Sequence, residues 1–171
     1  MGQYAVAGAV LGSVVPFFLK KKSDGVLPIT NEEMTRFSIT MDEALDFILK
    51  ATELGQGSEI FIPKLKSYRI KDVKDALTEL IGDYGNDVVG IRPGEKLHET
   101  LINKEEMRYA WEFRDLFMLT SPLYPMFNPN IINQKYVGIK QILNMESYSS
   151  DNVEKISKDQ LKNISQKLNL F

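Results

Sequence analysis

The sequence contains no cysteine, which excludes disulfides, thiolate metal sites and cysteine nucleophiles and fits a reducing compartment such as the cytoplasm. Its single histidine, His98, is too little for a histidine-built zinc site, so no metal is expected. A formal charge of −2 over 171 residues supplies no field that would make nucleic acid or an anionic membrane a general partner. Any recognition of anions must therefore come from individually placed arginines. No G-x-G-x-x-G pattern follows a strand, and Gly8-Ala9-Val10-Leu11-Gly12 has the wrong spacing for a dinucleotide phosphate loop. Long apolar runs are also lacking. The longest, residues 4–19, covers sixteen positions and contains Pro16, where about twenty apolar residues are needed to cross a bilayer. No basic residue precedes it, as one would in a secretory signal. It reads as a buried strand followed by a helix, with no membrane partner.

What is present is 43% hydrophobic and 26% charged residues, the composition of an ordinary globular domain with a core. Thr40-x-x-Glu43 is a capping box, and Met41, Ala44, Leu45, Ile48 and Leu49 then recur at helical spacing until Gly55 and Gly57. Residues 59–63 read as a strand, residues 70–81 as a second amphipathic helix, and residues 88–91 as a strand that delivers Arg92 at its end. Alternating strands and helices predict an α/β fold, in which ligands gather at strand ends and the loops that follow. A further helix is expected within residues 97–117, from Leu97, Leu101, Met107 and Trp111. Three prolines between residues 121 and 129 demand an extended or turn-rich connection. Ser157-x-x-Gln160 opens a tail helix with Leu161, Ile164 and Leu168 as its docking stripe.

Two segments carry chemistry. Arg92-Pro93-Gly94-Glu95-Lys96-Leu97-His98-Glu99 and Met34-Thr35-Arg36-Phe37 each set an arginine beside a turn or strand end, where a guanidinium fork grips phosphate oxygens bidentately. That points to a phosphate-bearing ligand. Simpler readings exist for every residue. A single surface arginine is commonly just solvated, Pro93-Gly94 is a turn signal, and Glu95-Lys96 suits an exposed helix start. His98 suits packing or capping better than catalysis. Lys20, Lys21 and Lys22 suit a solvated helix end, opposite the negative end of the helix dipole.

These segments, with Gly12-Ser13-Val14-Val15-Pro16-Phe17-Phe18, Pro28-Ile29-Thr30 and Tyr148-Ser149-Ser150-Asp151-Asn152, closely resemble the nucleotide-sugar dehydratases of bacterial polysaccharide synthesis. Specifically, they resemble the UDP-N-acetylglucosamine 4,6-dehydratase group of the extended short-chain dehydrogenase/reductase superfamily. The resemblance implies a Rossmann-type α/β enzyme, NADP as cofactor, a UDP-sugar as substrate and a homo-oligomer when intact. Its chemistry would be a lyase reaction that passes a hydride from sugar C4 to NADP, removes water across C5 and C6, and returns the hydride to C6. Carried over residue by residue, it implies Arg36 and Arg92 as pyrophosphate ligands and Glu95 as a ribose or loop-orienting contact. Ser13 and Val14 would lie near the sugar nucleotide, and Pro28, Ile29 and Thr30 near the uracil.

The same family holds NADP on an amino-terminal Rossmann half and uses a tyrosine four residues before a lysine as its acid–base pair. Tyr136-Val137-Gly138-Ile139-Lys140 has that spacing but follows the Arg92 motif in a turn-rich region, and reads as coincidence. Residues 1–11 stand where the family has a strand and an asparagine ahead of the substrate loop. The expectation is thus a carboxy-terminal, substrate-binding α/β region in residues 1–120, with residues 121–171 as connection and tail helix. The cofactor half is missing from a truncated or split product, leaving no catalytic and no cofactor-binding residues. Such a chain would bind no NADP alone and would need a separate NADP-binding amino-terminal half. The alternatives are a noncatalytic binding or oligomerisation module and a fragment of a nucleotide-sugar epimerase.

Overall fold

Reciprocal side-chain caps fix two helix starts. Thr40 N–H donates to Glu43 Oε2 at 2.7 Å and Glu43 N–H to Thr40 Oγ1 at 3.1 Å. Ser157 and Gln160 exchange the equivalent pair at 3.0 and 3.3 Å, so both capping boxes satisfy otherwise orphaned N–H groups. The computed structural model describes residues 11–21, 25–57, 59–82, 85–120, 132 and 134–167. The expected strand ahead of residue 11 and the proline-containing connection lie outside the described residues. In chain order the elements are α1 (Leu11–Lys21), β1 (Val26–Ile29), β2 (Thr35–Ser38), α2 (Met41–Leu54), β3 (Ile60–Pro63), β4 (Lys66–Arg69), α3 (Ile70–Ile81), β5 (Gly85–Val88), β6 (Thr100–Ile102), β7 (Ala110–Phe113), β8 (Leu116–Leu119), β9 (Lys140–Gln141), β10 (Tyr148–Ser149) and α4 (Lys158–Lys167). The mixed α/β fold read from the alternation is the one observed.

The chain divides into two units. The first comprises Met1–Glu43, Leu65–Glu99 and Ser150–Phe171. Within it β1 and β5 pair in parallel and β2 and β4 antiparallel. Its core gathers Val15 and Phe18 from α1, Leu27 and Ile29 from β1, Tyr68 from β4, Val73, Ala76 and Leu77 from α3, and Leu161 from α4. Each fully buried Leu, Ile or Phe of this set contributes roughly 1.5–3 kcal/mol. The tail helix docks in this unit against α3, where Lys158 and Lys162 both pair with Glu79. Its approach is tied to β4: Ser67 N–H donates to Glu154 O at 3.0 Å and Ile156 N–H to Ser67 O at 2.7 Å.

The second unit comprises Ala44–Lys64 and Thr100–Ser149. Its four-stranded antiparallel sheet has the order β3-β8-β7-β9, and β10 pairs with β6. Trp111, Phe113, Leu116 and Met118 are buried there with Ile132, Tyr136 and Ile139.

Two expectations are corrected, and the apolar stripe of a third element lies in solvent. No α-helix occupies residues 97–117: β6, a 3-10 turn at Glu106–Tyr109 and the β7–β8 hairpin stand there instead. The apolar spacing from Leu97 to Trp111 runs across separate elements, and the aromatic-rich stretch that follows suits strands. Phe113 pairs with Leu116 across a two-residue turn in which Arg114 takes a positive φ of 55°. Next, the strand before Arg92 is Gly85–Val88 rather than residues 88–91, because its partner β1 ends at Ile29. One further bond, Val89 N–H to Ile29 O at 2.9 Å, closes the pairing. Finally, α2 forms where expected, but its apolar stripe faces solvent: Met41, Leu45, Ile48 and Leu49 are 48–69% exposed. Phe47 and Leu54 face the core of the second unit instead.

Candidate functional site

Strand alternation builds a cleft in the first unit. Along β1, Leu27 and Ile29 turn into the core, which leaves Val26, Pro28 and Thr30 on the other side, where all three line a cleft of about 430 Å³. Parallel pairing sets Asp87 opposite Pro28, and Asp87, Val89, Gly90 and Arg92 form another wall. Phe17 and Lys21, from the carboxy-terminal part of α1, complete the lining. Thr30 and the stretch from Val89 to Arg92 follow the carboxyl ends of two parallel strands, where ligands of α/β sheets collect. The cleft thus offers apolar surface from Phe17, Val26, Pro28 and Val89, a hydroxyl from Thr30, two cations, Lys21 and Arg92, and one carboxylate, Asp87.

Arg92 reaches this cleft on a tight turn. Glu95 N–H donates to Arg92 O at 3.0 Å, and Gly94, with φ of +82°, occupies the position where a Pro-Gly turn of type II needs a left-handed residue. Glu95 Oε2 accepts the Arg92 N–H at 3.1 Å.

The chain beyond the turn is laced to β2. Arg36 Nη1 donates to Thr35 O at 2.7 Å and Leu97 O at 3.2 Å, while Nη2 donates to Lys96 O at 2.9 Å and Met34 Sδ at 3.2 Å. Its Nε lies 3.7 Å from Glu99 Oε1, and its side chain is 13% exposed. Glu99 Oε2 accepts the Phe37 N–H at 2.9 Å. Thr35 Oγ1 stands 2.8 Å from His98 Nδ1 and 2.6 Å from Ser150 Oγ. Ser150 and Glu99 exchange two further bonds: Glu99 N–H to Ser150 Oγ at 2.9 Å, and Ser150 N–H to Glu99 O at 2.8 Å. Tyr68, paired across the strands with Arg36, is fully buried beneath this lacework. Burial pushes its phenol far above the ordinary range, with Glu99 acting in the same direction and Arg36 opposing.

Of the residues singled out in the sequence, Arg92, Pro28 and Thr30 meet in the cleft, whereas Ile29 is 1% exposed in the core. Ser13 and Val14 belong to α1, but their side chains lie outside the described residues. Arg36 sits on the loop backbone and is not among the lining residues. Sequence reading did not name Phe17, Lys21, Val26, Asp87, Val89 or Gly90 as site residues, although Phe17 lies within one of the quoted motifs. The period-two pattern Val26-x-Pro28-x-Thr30 carried the signal for Val26, but the register that places Asp87 opposite Pro28 is not a local property. Of the Tyr136–Lys140 spacing read as coincidence, Tyr136 is 3% exposed, packs edge-on to Phe113 and directs its hydroxyl to Leu54 O at 3.4 Å. Lys140 stands exposed on β9, pairing opposite Glu112.

Comparison with known proteins agrees with the motif-level resemblance. Residues 5–121 match the family described as polysaccharide biosynthesis protein. A UDP-N-acetylglucosamine 4,6-dehydratase (inverting) of Campylobacter jejuni is 38% identical over 145 residues, covering 82% of this chain and 42% of that protein. A UDP-glucose 4-epimerase of Rickettsia conorii is 32% identical and covers 95% of this chain and 47% of its own length. The X-ray structure of Pen from Bacillus thuringiensis is similar with a TM-score of 0.74 at 27% identity, over 97% of this chain and 49% of that one. The chain spans less than half the length of each of these relatives. It belongs to the polysaccharide biosynthesis protein family of the extended short-chain dehydrogenase/reductase superfamily, among relatives named as nucleotide-sugar dehydratases and epimerases.

Proposed function

We propose that the cleft binds the nucleoside diphosphate end of a UDP-sugar, and that the chain is the substrate-binding portion of a UDP-N-acetylglucosamine 4,6-dehydratase-like enzyme of bacterial surface glycan synthesis. One observation carries this reading: Phe17, Pro28, Thr30 and Arg92, drawn from three separate motifs, line a single cleft. Its volume of about 430 Å³ is in the ordinary range for a small-molecule site. Arg92 takes the pyrophosphate, where its planar fork matches two oxygens. Pro28 and Thr30 meet the uracil, Ile29 supports them from the core, and Ser13 and Val14 of α1 approach the sugar nucleotide. Glu95 keeps Arg92 aimed. NADP would be held by a Rossmann half outside residues 1–171, and these residues by themselves neither bind it nor convert substrate in the cytoplasm. A second reading, the corresponding portion of a nucleotide-sugar epimerase, is favoured by epimerase-named relatives that align with 95% of the chain. The product made once a cofactor half is supplied separates the two.

Titration calorimetry with UDP tests the cleft. Wild-type chain is expected to bind UDP and give no heat with NADP. Arg92→Lys keeps the charge but loses the fork, and is expected to weaken UDP by roughly ten- to a hundredfold, the worth of one charge-assisted hydrogen bond of about 1.5–3 kcal/mol. Unchanged affinity in Arg92→Lys and Arg92→Ala, or no UDP binding at all, overturns the reading.

A further inference from the structure

We propose that Arg36 is a positioning residue that acts on the ligand through the loop it braces rather than by touching the ligand. The inference rests on the reading of Arg92 as phosphate ligand. A guanidinium has four Nη hydrogens, and here the two Nη atoms already meet four acceptors: Thr35 O, Leu97 O, Lys96 O and Met34 Sδ. The fifth hydrogen, on Nε, is on the Glu99 side at 3.7 Å. A fork spent in this way has no face to offer a diphosphate.

What Arg36 holds is the base of the loop. Four consecutive residues are each fastened to β2: Lys96 and Leu97 through Arg36, His98 through Thr35, and Glu99 through the Phe37 N–H. Ser150 closes the back of the assembly by gripping both Thr35 and Glu99. By contrast, residues 92–94 are exposed, and among the described residues their bonds are those of their own turn. The turn fixes the shape of the Arg92 segment, but its direction in space is inherited from residues 96–99. A side chain delivered by a braced loop loses less freedom on binding than one on a free loop, and affinity rises without a new contact.

A double-mutant cycle read by UDP titration of the full chain tests this. Arg36→Lys keeps the charge but cannot serve four acceptors, and is expected to weaken UDP by roughly tenfold. In an Arg92→Ala background the same substitution is expected to change affinity less than twofold, since the brace then has nothing to aim. Hydrogen exchange is expected to speed up at the Glu95 amide while the β1–β5 amides keep their protection, which general destabilisation would not do. Ser150→Ala, at the far end of the brace, is expected to repeat the pattern and serves as the test if Arg36→Lys does not fold. Losses that multiply between Arg36 and Arg92 mean that Arg36 touches UDP and overturn the brace alone. Wild-type affinity in Arg92→Ala overturns the cleft reading, and this inference with it.

Discussion

Gly94 shows how little of the site is chemistry and how much is backbone. Its φ of +82° is a left-handed value, and a Cβ built there would meet nothing within 4 Å. The cost of a side chain at this position is therefore conformational, about 1–3 kcal/mol, with no steric clash to add. Gly94→Ala is expected to reshape the turn and weaken UDP severalfold, whereas Gly94→Asn, which tolerates the left-handed region better, recovers part of the loss. Equal affinities for wild type and Gly94→Ala in the same titration would show that the turn does not aim Arg92. The contrast with Arg36 is instructive at this scale. Both arginines sit in motifs that suggest phosphate, yet one lines an open cleft while the other is folded onto carbonyl oxygens.

Among the elements, α4 is held to α3 by charge as well as by Leu161, since Glu79 receives both Lys158 and Lys162. Lys158 first, then Lys162, hold the Glu79 carboxyl below its usual range. A lowered carboxylate contributes stability that is present above its unfolded value, near 4.3, and is lost as pH falls through the lower folded value. Wild type is therefore expected to have a higher urea midpoint than Glu79→Gln at pH 7. The two should converge on acidification, and the difference should shrink in salt because the pair is exposed. A gap that persists under acid would assign the effect to packing. Elements with local signatures were legible in the sequence: α2 and α4 from their capping boxes, α3 from Ile70, Val73 and Leu77 at helical spacing. The β7–β8 hairpin was not, because Trp111 fits helical and strand patterns alike and only its partners across the sheet decide. Nor was the brace, whose bonds between separate segments join residues 51 to 115 positions apart. The motifs themselves were visible, but the division of labour between Arg36 and Arg92 depends on which acceptors the folded chain brings to each.

For the whole molecule, the outward stripe of α2 matters most. Met41, Leu45, Ile48 and Leu49 recur at helical spacing and are 48–69% exposed, and a contiguous apolar surface of this kind drives association. Sedimentation velocity is expected to show concentration-dependent self-association that a Leu45→Lys, Leu49→Lys double variant abolishes, and identical profiles would clear the stripe of this role. The division into units also has a consequence in time. The first unit takes its chain from Met1–Glu43, Leu65–Glu99 and Ser150–Phe171, so Thr35 waits through 115 further residues for Ser150. Contacts of such separation form late, after the cost of closing the intervening chain has been met. During synthesis, which proceeds at about 5–20 residues per second, a ribosome carries the arginine loop for several seconds before its last fastening is made. The fastening of the loop thus waits on the arrival of Ser150, and any pause in translating residues 100–149 lengthens the interval in which the loop hangs unfinished.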